Sequence, residues 1–415
     1  MSQKIQAIRG MEDVLPDASP LWEKLEDACR EVCGHYGYRS IRTPMVEPTA
    51  LFVRGIGEAT DIVEKEMYVF DDRNGDSMAL RPEATAGIVR AAIEHSFLYN
   101  GPMRVWTMGP MFRYERPQKG RQRQFHQFDV EALGFEGPDV DAEQIVLLAR
   151  LWKAVGIEGA ELHVNSIGDA ADRKAYRGKL IAHFEKHADV LDEDAKRRLH
   201  VNPLRLLDSK HQPMQPVIEA APRLLDHLGD AAAEHFEGLK VLLDAAGISY
   251  VVNPRLVRGL DYYNRTVFEW VSSSIGAQST IAGGGRYDGL FEQLGGKATP
   301  ACGFGMGMER VVLTMQASNV TAGAGVDVFV VHSGEGADLA AWKLAEGWRD
   351  AGKRVVLGSG GSFKSQMKKA DASGARYAAI IGDDEVASRS VTLKPLRVAG
   401  EQKKLSAEAA LREMG

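Results

Sequence analysis

Cysteine is scarce. There are three in 415 residues, and Cys29 and Cys33 stand four apart on a helical pattern with no His or Cys motif to complete a metal set. That excludes a disulfide-built fold and a structural zinc, and leaves the thiols as small buried hydrophobes. Long apolar runs are missing too. No stretch approaches the roughly 20 residues of a membrane span, and the opening Met1-Ser-Gln-Lys-Ile-Gln6 lacks the apolar core of a secretory leader, so the expectation is a cytoplasmic chain with no membrane contact. Repeats and low-complexity tracts are absent. Nor is there a uniform positive coat, since the net charge is −6. From Gly325 onward, however, 14 Lys and Arg face 12 Asp and Glu, while the rest of the chain holds 37 against 45. A mildly basic tail on an acidic body leaves room for a local nucleic-acid contact.

What is present is a chain 44% hydrophobic, long enough for two or three domains. Its most informative run is Gly109 to Glu131, which reads as a charged hairpin bent at Pro117 and Gly120. Period-two spacing puts Arg113 and Glu115 on one strand face, and Phe125, Gln127, Asp129 and Glu131 on another. Those faces are too polar for a core. Arg113, Arg116, Lys119, Arg121 and Arg123 outnumber Glu115, so a polyphosphate is the expected guest.

Apolar spacing predicts a helix from about Pro20 to Tyr36, a strand at 38–44, a helix at 84–95, strands at 104–108 and 161–165, and a helix near 140–155. This is a helix-decorated, largely antiparallel sheet. Residues 169–233 read as a mostly helical insertion, after which strands resume at 249–253, 266–271 and 280–282. A linker-like segment at 316–325 precedes βαβαβ alternation, the pattern of a small parallel α/β domain. The expected organisation is an α+β catalytic domain over 1–168 and 234–318, the insertion over 169–233, and a C-terminal α/β domain over 319–415.

Two glycine motifs mislead. Gly358 to Ser365 resembles a phosphate loop, but Phe363 replaces the glycine needed before Lys364. Gly303-Phe-Gly-Met-Gly307 is not G-x-G-x-x-G and lies late in the sheet. The cluster Ala282 to Leu290 taken alone is a turn, and Arg258-Gly-Leu-Asp-Tyr-Tyr263 taken alone a charged loop. Together they concentrate polar groups that a core would have to pair.

Phe112-Arg-Tyr-Glu115, Gly303 to Arg310, and Pro44 after a long helix resemble the three signature motifs of class II aminoacyl-tRNA synthetases. Arg258 to Tyr263, Gly283 to Asp288 and Leu80-Arg-Pro-Glu-Ala-Thr85 resemble the peptides particular to the histidyl-tRNA synthetase family. The likeness runs from Gly10 to the C-terminus. It implies activation of histidine by ATP, release of pyrophosphate, and transfer of histidine to the 3′ end of tRNA(His).

By matching positions, the resemblance implies that Arg113 holds the α-phosphate, Glu115 the adenine edge and Arg121 the outer phosphates, with Phe125 and Arg310 sandwiching adenine. Arg258 is the implied principal catalytic residue beside Arg113. Glu131 and Tyr263 would read the imidazole, Glu83, Thr85 and Gln127 the α-amino group, and Tyr262 and Tyr287 would complete the histidine pocket. Arg116, Gln118 and Lys119 would approach the tRNA acceptor end, and Lys364, Lys368 and Lys369 the RNA bound by an anticodon module. Magnesium accompanies ATP, no structural metal is implied, and motif 1 implies a homodimer. Silent paralogues such as the regulatory subunit of ATP phosphoribosyltransferase typically lack the terminal domain and several catalytic peptides. Here Arg113, Arg258, Arg310 and the tail are all present.

Overall fold

The structure, a computed structural model, describes residues 4–57, 60–322 and 325–415. It divides into two compact units that meet in sequence between Thr321 and Ala322.

The strands of the first unit are β1 (Arg39–Ser40), β2 (Val46–Pro48), β3 (Tyr68–Asp71), β4 (Ser77–Leu80), β5 (Met103–Phe112), β6 (Gln124–Leu133), β7 (Glu161–Ser166), β8 (Val251–Val252), β9 (Asn264–Val271), β10 (Thr280–Arg286) and β11 (Ala301–Gly307). Eight of them form one sheet in the order β1-β5-β6-β11-β10-β9-β7-β8, antiparallel except at its two edges. β2, β4 and β3 make a small separate sheet.

Alternation along the central strands assigns each face. Phe128, Val130 and Ala132 of β6, Phe268 and Trp270 of β9, and Cys302, Phe304 and Met306 of β11 share one core. Covering them are α1 (Ser19–His35), α4 (Pro138–Val155), α8 (Asp230–Ala245) and α10 (Met308–Ala317), through Leu25, Leu148, Leu239 and Val311 among others. These helices have the apolar stripe that such a position needs. The residues in between, Gln127, Asp129 and Glu131 on β6 and Gly303, Gly305 and Gly307 on β11, are thereby turned to the opposite face. There α3 (Thr85–Glu94), joined in a second core by Tyr176 and Leu180 of α5 (Ala170–Glu185), closes the flanks of the site.

Three differences from the sequence reading have physical causes. β5 ends at Phe112, so Arg113 and Glu115 do not alternate on a strand: Glu115 N donates to Arg113 O (2.7 Å), turning the chain just ahead of Pro117. β10 extends the strand expected at 280–282 on through Gly283–Gly285, because this segment is paired on both sides, to β9 and to β11. The predicted strand at 38–44 shortens to β1, and Pro44 lies between β1 and β2.

Residues 169–233 hold α5, α6 (Glu193–Val201), α7 (Gln215–Glu219), several short 3-10 turns and the start of α8. Asp169 and Asp172 form a reciprocal capping box at the start of α5.

The second unit has β12 (Val328–His332), β13 (Val355–Leu357), β14 (Tyr377–Ile381), β15 (Val391–Pro395) and β16 (Lys403–Leu405), in the order β13-β12-β14-β15-β16. The first three are parallel as expected, while β15 and β16 extend the sheet antiparallel. α11 (Ala337–Asp350) and α14 (Ala407–Glu413) pack one face through Ala341, Trp348 and Ala410, and α12 (Phe363–Ala372) packs the other through Ala370.

Candidate active site

The polar face of the large sheet floors a cavity of about 320 Å³. Its lining brings together Glu83, Thr85, Arg113, Glu115, Arg121, Phe125, Gln127, Arg258, Tyr262, Tyr263 and Arg310. Residues separated by more than 200 positions converge because β6, β9, β10 and β11 are neighbours in one sheet.

Glycine makes the floor. A Cβ at Gly303 would lie 1.6 Å from Glu131 Oε2, and one at Gly283 2.6 Å from Arg258 Nη1. Bare backbone on β10 and β11 is what lets charged side chains of neighbouring segments lie flat across the sheet.

Glu131 is fully buried beneath the cavity. Thr85 Oγ1 donates to its Oε1 (2.6 Å) and Tyr287 OH to its Oε2 (2.5 Å). Burial raises the Glu131 carboxyl well above the usual range, the charges of Asp129 and Glu83 add to this, and the two hydroxyl donors oppose it. Tyr287 therefore sits under Glu131 rather than at the cavity wall. The Tyr262 ring lies 4.7 Å from Tyr263 and 5.6 Å from Tyr287, so the three phenols form one cluster.

Glu83 caps α3. Its oxygens accept from Thr85 N (2.7 Å) and Ala86 N (2.9 Å), the charge-favoured arrangement at a helix N-terminus. Burial raises its carboxyl and these amides oppose the shift.

The cations are individually anchored. Arg258 is ion-paired to Glu269, and its guanidinium carbon lies 5.6 Å from the Tyr263 ring centre. Arg113 Nε donates to Pro82 O (2.9 Å), with its guanidinium 5.2 Å from the Phe125 ring centre. Arg310 donates to Gly120 O (2.9 Å) and Thr280 O (2.8 Å). Arg121 pairs with Glu115. In this arrangement Arg113 is a cation beside Phe125.

Arg116, Gln118 and Lys119 are exposed on the loop between β5 and β6, which Gln118 and Arg121 pin by reciprocal backbone hydrogen bonds of 3.0 and 2.9 Å. Lys364, Lys368 and Lys369 are exposed on α12. Among the described residues no group of three His, Cys, Asp or Glu stands ready to hold a metal.

Among the cavity residues given no role by sequence reasoning are Asp129, Glu269, Thr280 and Glu309. Asp129 shares the alternating face of Gln127 and Glu131. Glu269 interrupts the apolar run from Val267 to Val271, a usable signal. Glu309 accepts from His126 N and meets His126 Nδ1 at 2.9 Å, contacts that no spacing reveals.

The family model described as "Histidyl-tRNA synthetase" matches residues 10–311, and that described as "Anticodon binding domain" matches 326–414. The histidine–tRNA ligase of Methylobacillus flagellatus is 59% identical over 414 residues, covering 99% of both chains. That of Bordetella pertussis is 59% identical over 398 residues, covering 95% of this chain and 93% of its own. Apo histidyl-tRNA synthetase of S. aureus superposes with a TM-score of 0.81 at 35% identity, covering 99% of this chain and 100% of the other. An ATP phosphoribosyltransferase regulatory subunit/histidyl-tRNA synthetase from Bacillus halodurans C shares the fold at 22% identity, TM-score 0.65, over 92% and 99% of the two chains.

Proposed function

Since the chain belongs to the histidyl-tRNA synthetase family, its reaction being the ATP-dependent joining of histidine to tRNA, we propose that the cavity on the polar sheet face carries out both steps. First, the histidine carboxylate attacks the α-phosphate of ATP and pyrophosphate leaves. Then the terminal ribose hydroxyl of the tRNA attacks the histidyl carbonyl and AMP leaves.

The observation that supports this assignment is the joint lining of one cavity by Arg113, Arg258 and Arg310 together with Glu83, Thr85 and Gln127. Phosphoryl transfer to a carboxylate builds negative charge around the α-phosphate. Arg258, already oriented by Glu269 and Tyr263, would meet that charge without reorganising, and Arg113 would hold the same phosphate. Arg121 would take the outer phosphates, Glu115 the adenine edge, and Phe125 with Arg310 the adenine ring.

Glu131, held by Thr85 and Tyr287, suits the donor N–H of an imidazole, which offers one donor and one acceptor nitrogen. Tyr263 would serve the other nitrogen, with Tyr262 and Tyr287 fixing the geometry. Glu83, Thr85 and Gln127 would hold the α-amino group. A site of such hydrogen-bonding groups rejects ligands that leave them unpaired by roughly 10⁴-fold.

Magnesium would come with the nucleotide and neutralise phosphate charge. Glu269 and Glu309 are the cavity carboxylates nearest in chemistry to that task, although Arg258 and His126 already engage them. Arg116, Gln118 and Lys119 would meet the acceptor end, Lys364, Lys368 and Lys369 the distant RNA, and residues 169–233 would clamp the acceptor arm. A cytoplasmic location and a symmetric homodimer complete the proposal. Support for the dimer comes from Met45, Val46, Val69 and Phe70, apolar residues exposed on and beside the small sheet next to Pro44.

The test is exchange of labelled pyrophosphate into ATP, run with each of the twenty amino acids and no tRNA. Exchange with histidine alone supports the pocket assignment, and exchange with a different amino acid overturns it.

A further inference from the structure

Asp129 stands on β6 between Gln127 and Glu131, opposite Gly305 of β11 and Thr107 of β5. It lines the cavity yet is only 3% exposed, and its Oδ2 has no hydrogen-bond partner among the described residues. A buried acceptor without a donor costs on the order of 1–3 kcal/mol, more if charged, so native proteins seldom keep one without a use.

The surrounding cations do not supply the missing donor. Arg81 donates to Pro110 O (2.9 Å) and Thr43 O (3.3 Å), and Arg113 Nε donates to Pro82 O. Glu83, the other acid facing the cavity there, gives one oxygen to each of two helix amides. Asp129 thus keeps an oxygen unspent at the cavity. Room for it is built in, because a Cβ at Gly305 would lie 2.8 Å from Asp129 Oδ1 and 3.2 Å from Gln127 Nε2. Burial raises its carboxyl, the charge of Glu83 adds to the shift, and Arg81 and Arg113 oppose it. An arriving cation would relieve that penalty.

We propose that Asp129 contacts the substrate directly, Oδ2 accepting a hydrogen bond from the α-ammonium group of the amino acid. This rests on reading the cavity as the histidine site. It adds an acid whose charge discriminates an amino acid from its deaminated analogue.

Calorimetric titration of the full chain with three probes tests it: histidine, histidinol, which keeps the ammonium and lacks the carboxylate, and imidazole propionate, which keeps the carboxylate and lacks the ammonium. Asp129→Asn is expected to weaken histidine and histidinol by about tenfold or more, and imidazole propionate by less than about threefold. Gly305→Ala, which crowds the carboxylate and leaves its charge, should weaken the same two probes if the isosteric variant fails to fold. Equal loss for all three probes, or for none, overturns the contact and leaves Asp129 a packing residue. Glu131→Gln separates the parent reading, since all three probes carry the imidazole. If that variant weakens none of them, the pocket assignment falls and the Asp129 contact with it.

Discussion

Glu131 receives a hydroxyl on each oxygen, so replacing one oxygen by an amide nitrogen sets a donor against a donor. Glu131→Gln is expected to raise the histidine KM in pyrophosphate exchange by about 10–100-fold, the value of a hydrogen bond to a charged group, while ATP affinity measured separately changes little. Comparable losses in both would remove Glu131 from the imidazole site. Gly303→Ala makes the same point from the opposite strand. Its Cβ would fall inside the Glu131 carboxylate and 2.9 Å from Val130 O, so histidine activation should be lost together with thermal stability. A variant with unchanged melting and unchanged exchange would contradict the packing described here. At this scale the sequence was informative about charge and poor about partners. Arg113, Arg258 and Glu131 declare themselves by type and position, whereas the pairing of Arg258 with Glu269 depends on where Arg258 lands beside β9, which only the fold decides.

Among elements, the contact of α4 with the end of β10 is held by charge. Arg286, fully buried, reaches Asp141 Oδ1 (2.6 Å), Gly137 O (2.8 Å) and Phe135 O (2.7 Å), while His235 of α8 meets Asp141 Oδ2 at 2.8 Å. Burial alone would raise the Asp141 carboxyl. The His235 hydrogen bond and the charge of Arg286 override burial and hold it at about 2, against an ordinary 3.8. A depressed carboxyl stabilises the fold above its ordinary value and loses that contribution as pH falls through the folded one. Stability to urea should therefore drop by about 2 kcal/mol between roughly pH 4 and pH 2 from this group. Asp141→Asn should cost about 3–5 kcal/mol at neutral pH, since it strands a buried guanidinium, and should flatten that acid limb. An unchanged limb in the variant would assign the acid sensitivity elsewhere. The long helices and the hairpin were legible from period and turn chemistry. The glycine stretch of β10 was not, because glycine carries no strand signal and its pairing is imposed by two neighbouring strands. β15 and β16 were missed because a short antiparallel addition at a sheet edge leaves no βαβ rhythm to count.

For the whole molecule, the two units each close their own core, that of residues 322–415 being built from Val330, Ala341, Trp348 and Leu393 among others. A chain ending at Thr321 is expected to keep histidine-dependent pyrophosphate exchange and to lose most tRNA charging, read by parallel assays on the two substrates. Loss of both at once would mean that the first unit does not fold alone. One property spans the full length. Cys29, Cys33 and Cys302 are all buried, and burial pushes each thiol well above the ordinary cysteine range. To a maleimide reagent the native protein is accordingly a blank slate. Introducing Tyr99→Cys and Leu339→Cys, at side chains 89% and 59% exposed, would place one probe on each unit with no background signal. The protein thus comes ready for a molecular ruler that follows its two halves through a catalytic cycle.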